Sequence, residues 1–139
     1  MAASFSVDLS ARPRALDRLL DRFTLFAQRH HVPAAARREV HLAIDEIVSN
    51  IIRHGAAADE TPRLAVTVAV DEGALRVEVT DTGKPFNPLA AQPPRTAGRL
   101  SDRPIGGLGI HLVKNLMDRI EYRRTNGRNR LRFERALQR

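Results

Sequence analysis

Three polar residues recur at four-residue spacing in the middle of the chain: Glu46, Asn50 and His54. In an α-helix this spacing aligns side chains in one row, about 6 Å apart per step. The row borders an apolar stripe, so its carboxylate and its carboxamide each need a polar partner. The pattern is typical of a binding or catalytic site along one edge of a helix, but a solvated helix face would give the same spacing.

Two other segments carry residue types suited to ligand binding. Asp81-Thr82-Gly83 follows an alternating strand pattern, where it could be a simple turn. Gly106-Gly107-Leu108-Gly109 directly precedes a helical pattern, where glycines let backbone N–H groups approach an anion. This run lacks the Lys-Ser/Thr pair of a P-loop and follows no strand, so neither the Walker nor the dinucleotide fingerprint applies. A flexible start to a helix is the alternative.

Hydrophobic periodicity predicts the elements that must position these residues. The first elements are a strand over Phe5–Leu9, two helices opened by Pro13 and Pro33, and a hairpin with its turn at Asp71-Glu72-Gly73. An irregular stretch over 82–107 follows, and then a third helix over about Leu108–Arg119. The last elements are two strands, around Ile120–Tyr122 and Leu131–Phe133, joined by a turn at Asn126-Gly127. Gly55 is the predicted stop of the second helix. This order predicts one α+β domain over residues 1–139. We expect a two-layer α/β sandwich with a mixed, mostly antiparallel sheet and helices on one face.

The composition narrows the possible functions. The 139 residues include no cysteine, which excludes disulfides and thiolate metal sites. No signal peptide and no apolar run of about 20 residues is evident, so we expect a cytoplasmic protein without membrane contact. The net charge of +7 raises the question of nucleic acid, but one tyrosine and no tryptophan supply little for base stacking. We expect no direct nucleic-acid binding.

Taken in order, the three motifs resemble those of the GHKL ATPase superfamily, which includes gyrase-type ATPases, sensor histidine kinases and anti-sigma serine kinases. Glu46-x-x-x-Asn50-x-x-x-His54 resembles the N box, Asp81-x-Gly83 the following box, and Gly106 to Gly109 the glycine box. The anti-sigma kinase branch fits best. The supporting segments are Asp81-Thr82-Gly83-Lys84-Pro85-Phe86, Gly106 to Ile110, Leu116-Met117-Asp118, Tyr122 and Gly127-Arg128-Asn129. The resemblance covers nearly the whole chain and implies a Bergerat-type ATP-binding fold.

The resemblance also implies roles for individual residues. Glu46 would be the catalytic base, Asn50 the Mg²⁺ ligand, and Asp81 the acceptor for the adenine amino group. Gly83 would let the adenine approach, and a further set would bind the phosphates: Gly106, Gly107, Leu108 and Gly109. Residues 82–107 would form the ATP lid, with two candidate contacts for the γ-phosphate or a partner, Arg99 and Arg103, although either could be a solvated arginine. His54 is expected to pack or cap rather than to catalyse.

The activity and partners implied by the resemblance are those of an anti-sigma regulatory kinase. Such a protein binds ATP and Mg²⁺, binds a sigma factor, phosphorylates a serine of an anti-anti-sigma (STAS-type) antagonist, and forms a homodimer. One alternative is an ATP-hydrolysing or ATP-sensing switch with a different protein partner. The catalytic half of a two-component histidine kinase is disfavoured, because the chain shows no dimerising helical hairpin with a phospho-acceptor histidine. A nucleic-acid-binding module is the remaining alternative.

Overall fold

The computed structural model describes residues 2–55, 61–90 and 107–138. Within these ranges, five strands and three α-helices follow the predicted order. They are β1 (Ala3–Ser10), α1 (Pro13–Arg29), α2 (Ala34–His54), β2 (Arg63–Val70), β3 (Ala74–Asp81), α3 (Gly107–Leu116), β4 (Arg119–Thr125) and β5 (Arg128–Ala136). A short 3₁₀ turn at Pro88–Ala90 lies between β3 and α3. None of the described helices is long and apolar enough to cross a membrane.

The five strands form one sheet in the order β1-β2-β3-β5-β4. Every pair of neighbours is antiparallel, which corrects the expectation of a mixed sheet. The connection through α3 leaves β3 and β4 running in the same direction. Because β5 inserts between these two strands, no parallel pair forms among the described residues.

One face of the sheet carries the core. In β2 the alternate residues Leu64, Val66, Val68 and Val70 are buried, and the intervening side chains are exposed or partly exposed. Helices α1 and α2 pack together on the buried face. Full burial of an aliphatic side chain of this size contributes roughly 1.5–3 kcal/mol. The predicted two-layer α+β sandwich with helices on one face is therefore confirmed.

Helix α2 is the element that carries the predicted catalytic row. It begins after Pro33 and ends at Gly55, whose N–H donates to the carbonyl oxygen of Ile51 at 2.8 Å. Near its start, Glu39 pairs with the buried guanidinium of Arg135 on β5, with Nε and Oε2 2.7 Å apart. The ion pair fixes the first half of α2 against β5.

Both predicted hairpin turns are confirmed. In the turn between β2 and β3, Asp71 Oδ1 accepts hydrogen bonds from the backbone N–H groups of Gly73 and Ala74. The bond from Gly73, followed by that from the Arg76 guanidinium, lowers the pKa of the Asp71 carboxyl below its ordinary value. Between β4 and β5, Asn126 and Gly127 both have positive φ, 52° and 74°. These two angles are typical of a type I′ turn.

Two predicted boundaries differ from the structure. Helix α3 ends at Leu116 rather than near Arg119, because the chain is already joining the sheet: the Asp118 N–H donates to the Glu134 carbonyl at 2.8 Å. The last two strands extend well beyond their apolar centres, because cross-strand pairing continues through polar residues that periodicity does not flag. Most of the predicted lid, residues 91–106, lies outside the described residues.

Candidate functional site

A small cavity forms where the second half of α2 faces the ends of β3 and β5. Asn50 reaches it from the helix and Asp81 from the last position of β3. Asn129 lies on β5, directly opposite Asp81. Phe86 and Tyr122 complete the polar and aromatic lining of the cavity. The structure thus brings together two predicted site residues from distant parts of the chain. The cavity holds only about 20 Å³ in this conformation, so a bound base requires the surrounding segment to open.

Asp81 is buried, with 4% of its surface exposed. Its Oδ1 accepts hydrogen bonds from the Gly83 N–H at 2.8 Å and from the Asn129 amide at 3.0 Å. Among the described residues, none donates to its Oδ2. A buried carboxylate with one oxygen left over is a strong acceptor for an N–H group of a ligand.

Asn129 is the most extensively bonded side chain at the site. Its Nδ2 donates to Asp81 Oδ1 and to the Lys84 carbonyl at 2.9 Å. Its Oδ1 accepts from the Tyr122 hydroxyl at 2.5 Å and from the Phe86 N–H at 3.3 Å. The sequence analysis assigned Asn129 no role of its own. An asparagine in phase with Leu131 and Phe133, on the buried face of β5, is the signal that could have revealed it.

Gly83 is needed for close contact between the end of β3 and the end of α2. A Cβ at this position would lie 2.6 Å from the carbonyl oxygen of Gly55 and 2.9 Å from Asp81 Oδ1. The next residue, Lys84, donates its N–H to the same Gly55 carbonyl at 3.2 Å. Gly83 therefore has a packing reason to be glycine in this fold, and its role toward an adenine stays a prediction.

Asn50 is also buried, with 5% of its surface exposed, and the basic residue Arg53 lies on the next helical turn. Its Oδ1 accepts a hydrogen bond from Arg53 Nη2 at 2.8 Å, and its Nδ2 has no partner among the described residues. Arg53 itself is exposed. Arg53 was not among the predicted site residues, although the i to i+3 spacing from Asn50 placed it on the same helix surface.

These contacts bear on whether the site suits Mg²⁺. The described residues contain no group of three or more His, Asp or Glu side chains arranged to hold a metal. A magnesium ion carried in by a nucleotide keeps phosphate and water ligands and needs only one or two oxygens from the protein. The amide oxygen of Asn50 fits that requirement, provided that the exposed Arg53 side chain moves off it.

The Glu46 carboxylate, partly buried, lies against the first turn of α3. A Cβ on Gly109 would overlap this carboxylate, since even the farther oxygen, Oε1, would be 2.9 Å away. The predicted base thus lies beside the predicted glycine box. Gly107 opens α3, as the glycine-run prediction implies, and Leu108 is its second residue. Three other predicted residues, Gly106, Arg99 and Arg103, lie outside the described part of the chain.

His54 ends α2 and is exposed. Its ring lies 5.8 Å from that of Phe86, with the two planes inclined by 34°. This contact agrees with a packing histidine, and it joins the end of α2 to the segment that follows β3.

The fold and the site together define an α/β-sandwich domain with a small, partly polar cavity between one helix and the ends of two strands. Residues 9–135 match the histidine kinase-like ATPase domain, and the chain belongs to that family. Family membership confirms the superfamily that the motifs predicted, and it identifies the domain as one of an ATP-binding class.

Curated relatives refine this assignment. The chain is 28% identical over 105 residues to the serine/threonine-protein kinase BtrW of Bordetella bronchiseptica, covering 76% of this chain and 74% of the relative. It is 30% identical over 96 residues to the serine-protein kinase RsbW of Bacillus licheniformis, covering 64% and 58%. For the RsbW of Listeria monocytogenes the identity is 27% over 127 residues, covering 87% and 80%. These relatives carry the names of the protein-kinase branch that the motifs predicted.

Solved structures show the same fold. The RsbU and RsbW domains of a Mycobacterium tuberculosis protein align with a TM-score of 0.70 at 17% identity, over 96% of this chain and 32% of that one. The histidine kinase AdeS of Acinetobacter baumannii aligns with a TM-score of 0.50 at 16% identity, over 96% and 68%. At these identities the likeness concerns the fold alone.

Proposed function

We propose that this chain is an ATP-dependent serine/threonine kinase that acts as an anti-sigma regulatory factor. It would bind ATP with Mg²⁺, bind a sigma factor, and phosphorylate a serine of a STAS-type antagonist. The observation that carries the nucleotide site is the buried Asp81 carboxylate on the cavity that Asn50 also lines, since no described residue donates to its Oδ2. The kinase activity and the partners rest on the motifs and on the kinase names of the relatives.

Asp81 would supply base selectivity. Its available oxygen, Oδ2, accepts a hydrogen bond from the exocyclic amino group of adenine. Guanine presents a carbonyl oxygen at the corresponding position, which a buried carboxylate repels. Asp81→Asn removes this charge at constant size, so we expect ATP affinity to fall and the preference over GTP to shrink.

Asn50 and the start of α3 would hold the triphosphate end. Mg²⁺, when bound, neutralises phosphate charge during transfer. Asn50 would contribute its amide oxygen to the metal, and the exposed Arg53 would leave that oxygen as the metal binds. The backbone N–H groups at the start of α3 carry the positive end of the helix dipole, which attracts phosphate oxygens.

Glu46 would act as the base. As the serine oxygen bonds to the γ-phosphorus, Glu46 accepts the hydroxyl proton, and the bond between that phosphorus and the bridging oxygen of ADP breaks. The helix row places Glu46 one turn before Asn50, so the base and the metal ligand approach the phosphate from one surface.

The direct test is transfer of ³²P from [γ-³²P]ATP to a purified STAS-type protein encoded in the same genome. Labelling of the wild-type antagonist, and not of a version with its acceptor serine changed to alanine, supports the proposal. If no STAS-type protein is labelled although ATP binds, the kinase assignment is wrong. Co-purification of a sigma factor with the tagged chain tests the second partner.

A switch that hydrolyses ATP remains the second candidate, since a carboxylate placed like Glu46 activates water as readily as it activates serine. Release of inorganic phosphate at the same rate with and without the antagonist favours this alternative. We also propose a homodimer that uses β1 and the exposed face of the sheet. Light scattering at high micromolar concentration checks it, and a monomeric mass there contradicts it.

A further inference from the structure

We infer that Asn129 is a specificity-determining residue, which holds the Asp81 carboxylate in the orientation that reads adenine and ties it to the start of the lid. The inference rests on the proposed nucleotide site. It adds a function for a residue to which neither the motifs nor the relatives assign one.

The neighbours of Asn129 fix the orientation of its side-chain amide. Asn129 uses both of its N–H groups, toward the Asp81 carboxylate and the Lys84 carbonyl, and its oxygen faces two donors, the Tyr122 hydroxyl and the Phe86 N–H. Rotating the amide by 180° would point its oxygen at the carboxylate and its NH₂ group at a backbone N–H. Only one orientation is therefore compatible with these neighbours.

This orientation of the Asn129 amide constrains the Asp81 carboxylate. Asn129 and the Gly83 N–H both donate to Oδ1, which leaves Oδ2 as the oxygen not engaged by any described residue. Two fixed donors on one oxygen prevent the carboxylate from rotating. Oδ2 therefore keeps a constant direction, which a hydrogen bond that discriminates between bases requires.

Asn129 also binds backbone groups of the segment that follows Asp81. Lys84 and Phe86, whose backbone groups Asn129 binds, lie near the start of residues 82–107, the segment predicted as the lid. Phe86 also lines the cavity. Because one amide holds both the carboxylate and this segment, opening the cavity for a base changes the bonds from Asn129 to Lys84 and Phe86 and leaves its bond to Asp81. Base recognition and the position of the lid's first residues are thereby coupled.

The test compares Mg²⁺-ADP and Mg²⁺-GDP binding by calorimetry, since neither ligand turns over. For Asn129→Ala we expect ADP affinity to fall by about 10- to 100-fold, from loss of a hydrogen bond to a charged group. GDP affinity should change little, so the ADP/GDP preference falls with it. Asn115→Ala, an exposed position on α3, is the matched control and should bind as wild type. An unchanged ADP/GDP preference in Asn129→Ala overturns the inference.

Two further variants make the outcome unambiguous. If Asn129→Ala does not fold, Tyr122→Phe replaces it, because this change removes only the hydroxyl that holds the amide oxygen. We then expect a few-fold loss confined to ADP, and equal affinity to wild type overturns the inference. Asp81→Asn separates the two levels of the proposal. If it binds ADP like wild type, the proposed nucleotide site fails; if it loses ADP while Asn129→Ala does not, the inference about Asn129 alone fails.

Discussion

The carboxylate of Glu46 on α2 lies against Gly109 on α3, so close that a Cβ on this residue would force the carboxylate to move. The sequence analysis treated these two residues as parts of separate motifs, one for proton transfer and one for phosphate binding. Their contact means that the glycine also decides where the carboxylate lies. A substitution in the glycine box therefore affects the base directly, in addition to any effect on the nucleotide.

Gly109→Ala is expected to displace the Glu46 carboxylate. Alanine favours the helix itself, and the clashing atoms are the end of a flexible side chain, so we expect little loss of stability. Phosphoryl transfer should drop roughly as far as it does without the base, by about 10²–10⁴. Transfer of ³²P and thermal unfolding of the same samples measure both effects. Gly73→Ala is the matched control, since a Cβ at Gly73 would have no neighbour closer than 4.0 Å. Transfer at the wild-type rate in Gly109→Ala would show that the position of the Glu46 carboxylate is unimportant.

Glu46→Gln separates catalysis from binding. The amide preserves size and hydrogen bonding but cannot accept a proton as the carboxylate does. ATP affinity should stay within a few fold, and phosphoryl transfer should fall by about 10²–10⁴. Single-turnover ³²P transfer beside nucleotide titration gives both values. A variant that transfers phosphate at the wild-type rate would reduce Glu46 to a structural residue.

Substitutions of Asn50 and of Arg53 should shift the Mg²⁺ concentration needed for ATP binding in opposite directions. Asn50→Ala removes the proposed ligand, so more Mg²⁺ should be needed for half-maximal ATP binding. Arg53→Met removes the guanidinium that occupies the same oxygen, so less should be needed. Nucleotide titrations at a series of Mg²⁺ concentrations measure the shift. Arg38→Met, an exposed change on the same helix, should leave it unmoved; a shift in the same direction for both site variants would contradict the competition.

The turn at Asp71 gives a prediction about pH. The pKa of its carboxyl is lowered in the folded state, chiefly by the Gly73 N–H and then by Arg76. Its contribution to stability is therefore complete above the unfolded pKa, near 3.8, and is lost as the pH falls through the lower folded value. Wild type should exceed Asp71→Asn in urea-unfolding free energy at pH 6. The difference should vanish in strong acid, and a difference independent of pH would refute the assignment.

Much of this architecture follows from local patterns. Alternation of apolar residues identified β2 and β3, and the glycine in each turn marked the hairpins. The positions of Glu46 and Asn50 on one helix surface follow from their spacing alone. These features were predictable because each depends on neighbours within a few residues in the sequence.

The features that the sequence did not predict depend on contacts between distant segments. Asn129 meets Asp81 only because β5 inserts beside β3, and no local pattern indicates that strand order. The contact of Gly109 with Glu46 likewise requires the packing of α3 on α2. The early end of α3 arises from pairing with Glu134, which lies on another strand. Sequence motifs predicted several members of the proposed site, and tertiary packing determined which of them touch.

The position of β5 in the sheet has a consequence for synthesis of the protein on the ribosome. This strand is translated after all the others, yet it lies between β3 and β4 and supplies Asn129. Until it emerges, the growing chain exposes the edge of β3, with Asp81 at its end, to pairing with other strands. The proposed adenine site therefore lacks Asn129 until β5 has been made, and we expect nucleotide binding only after this strand emerges.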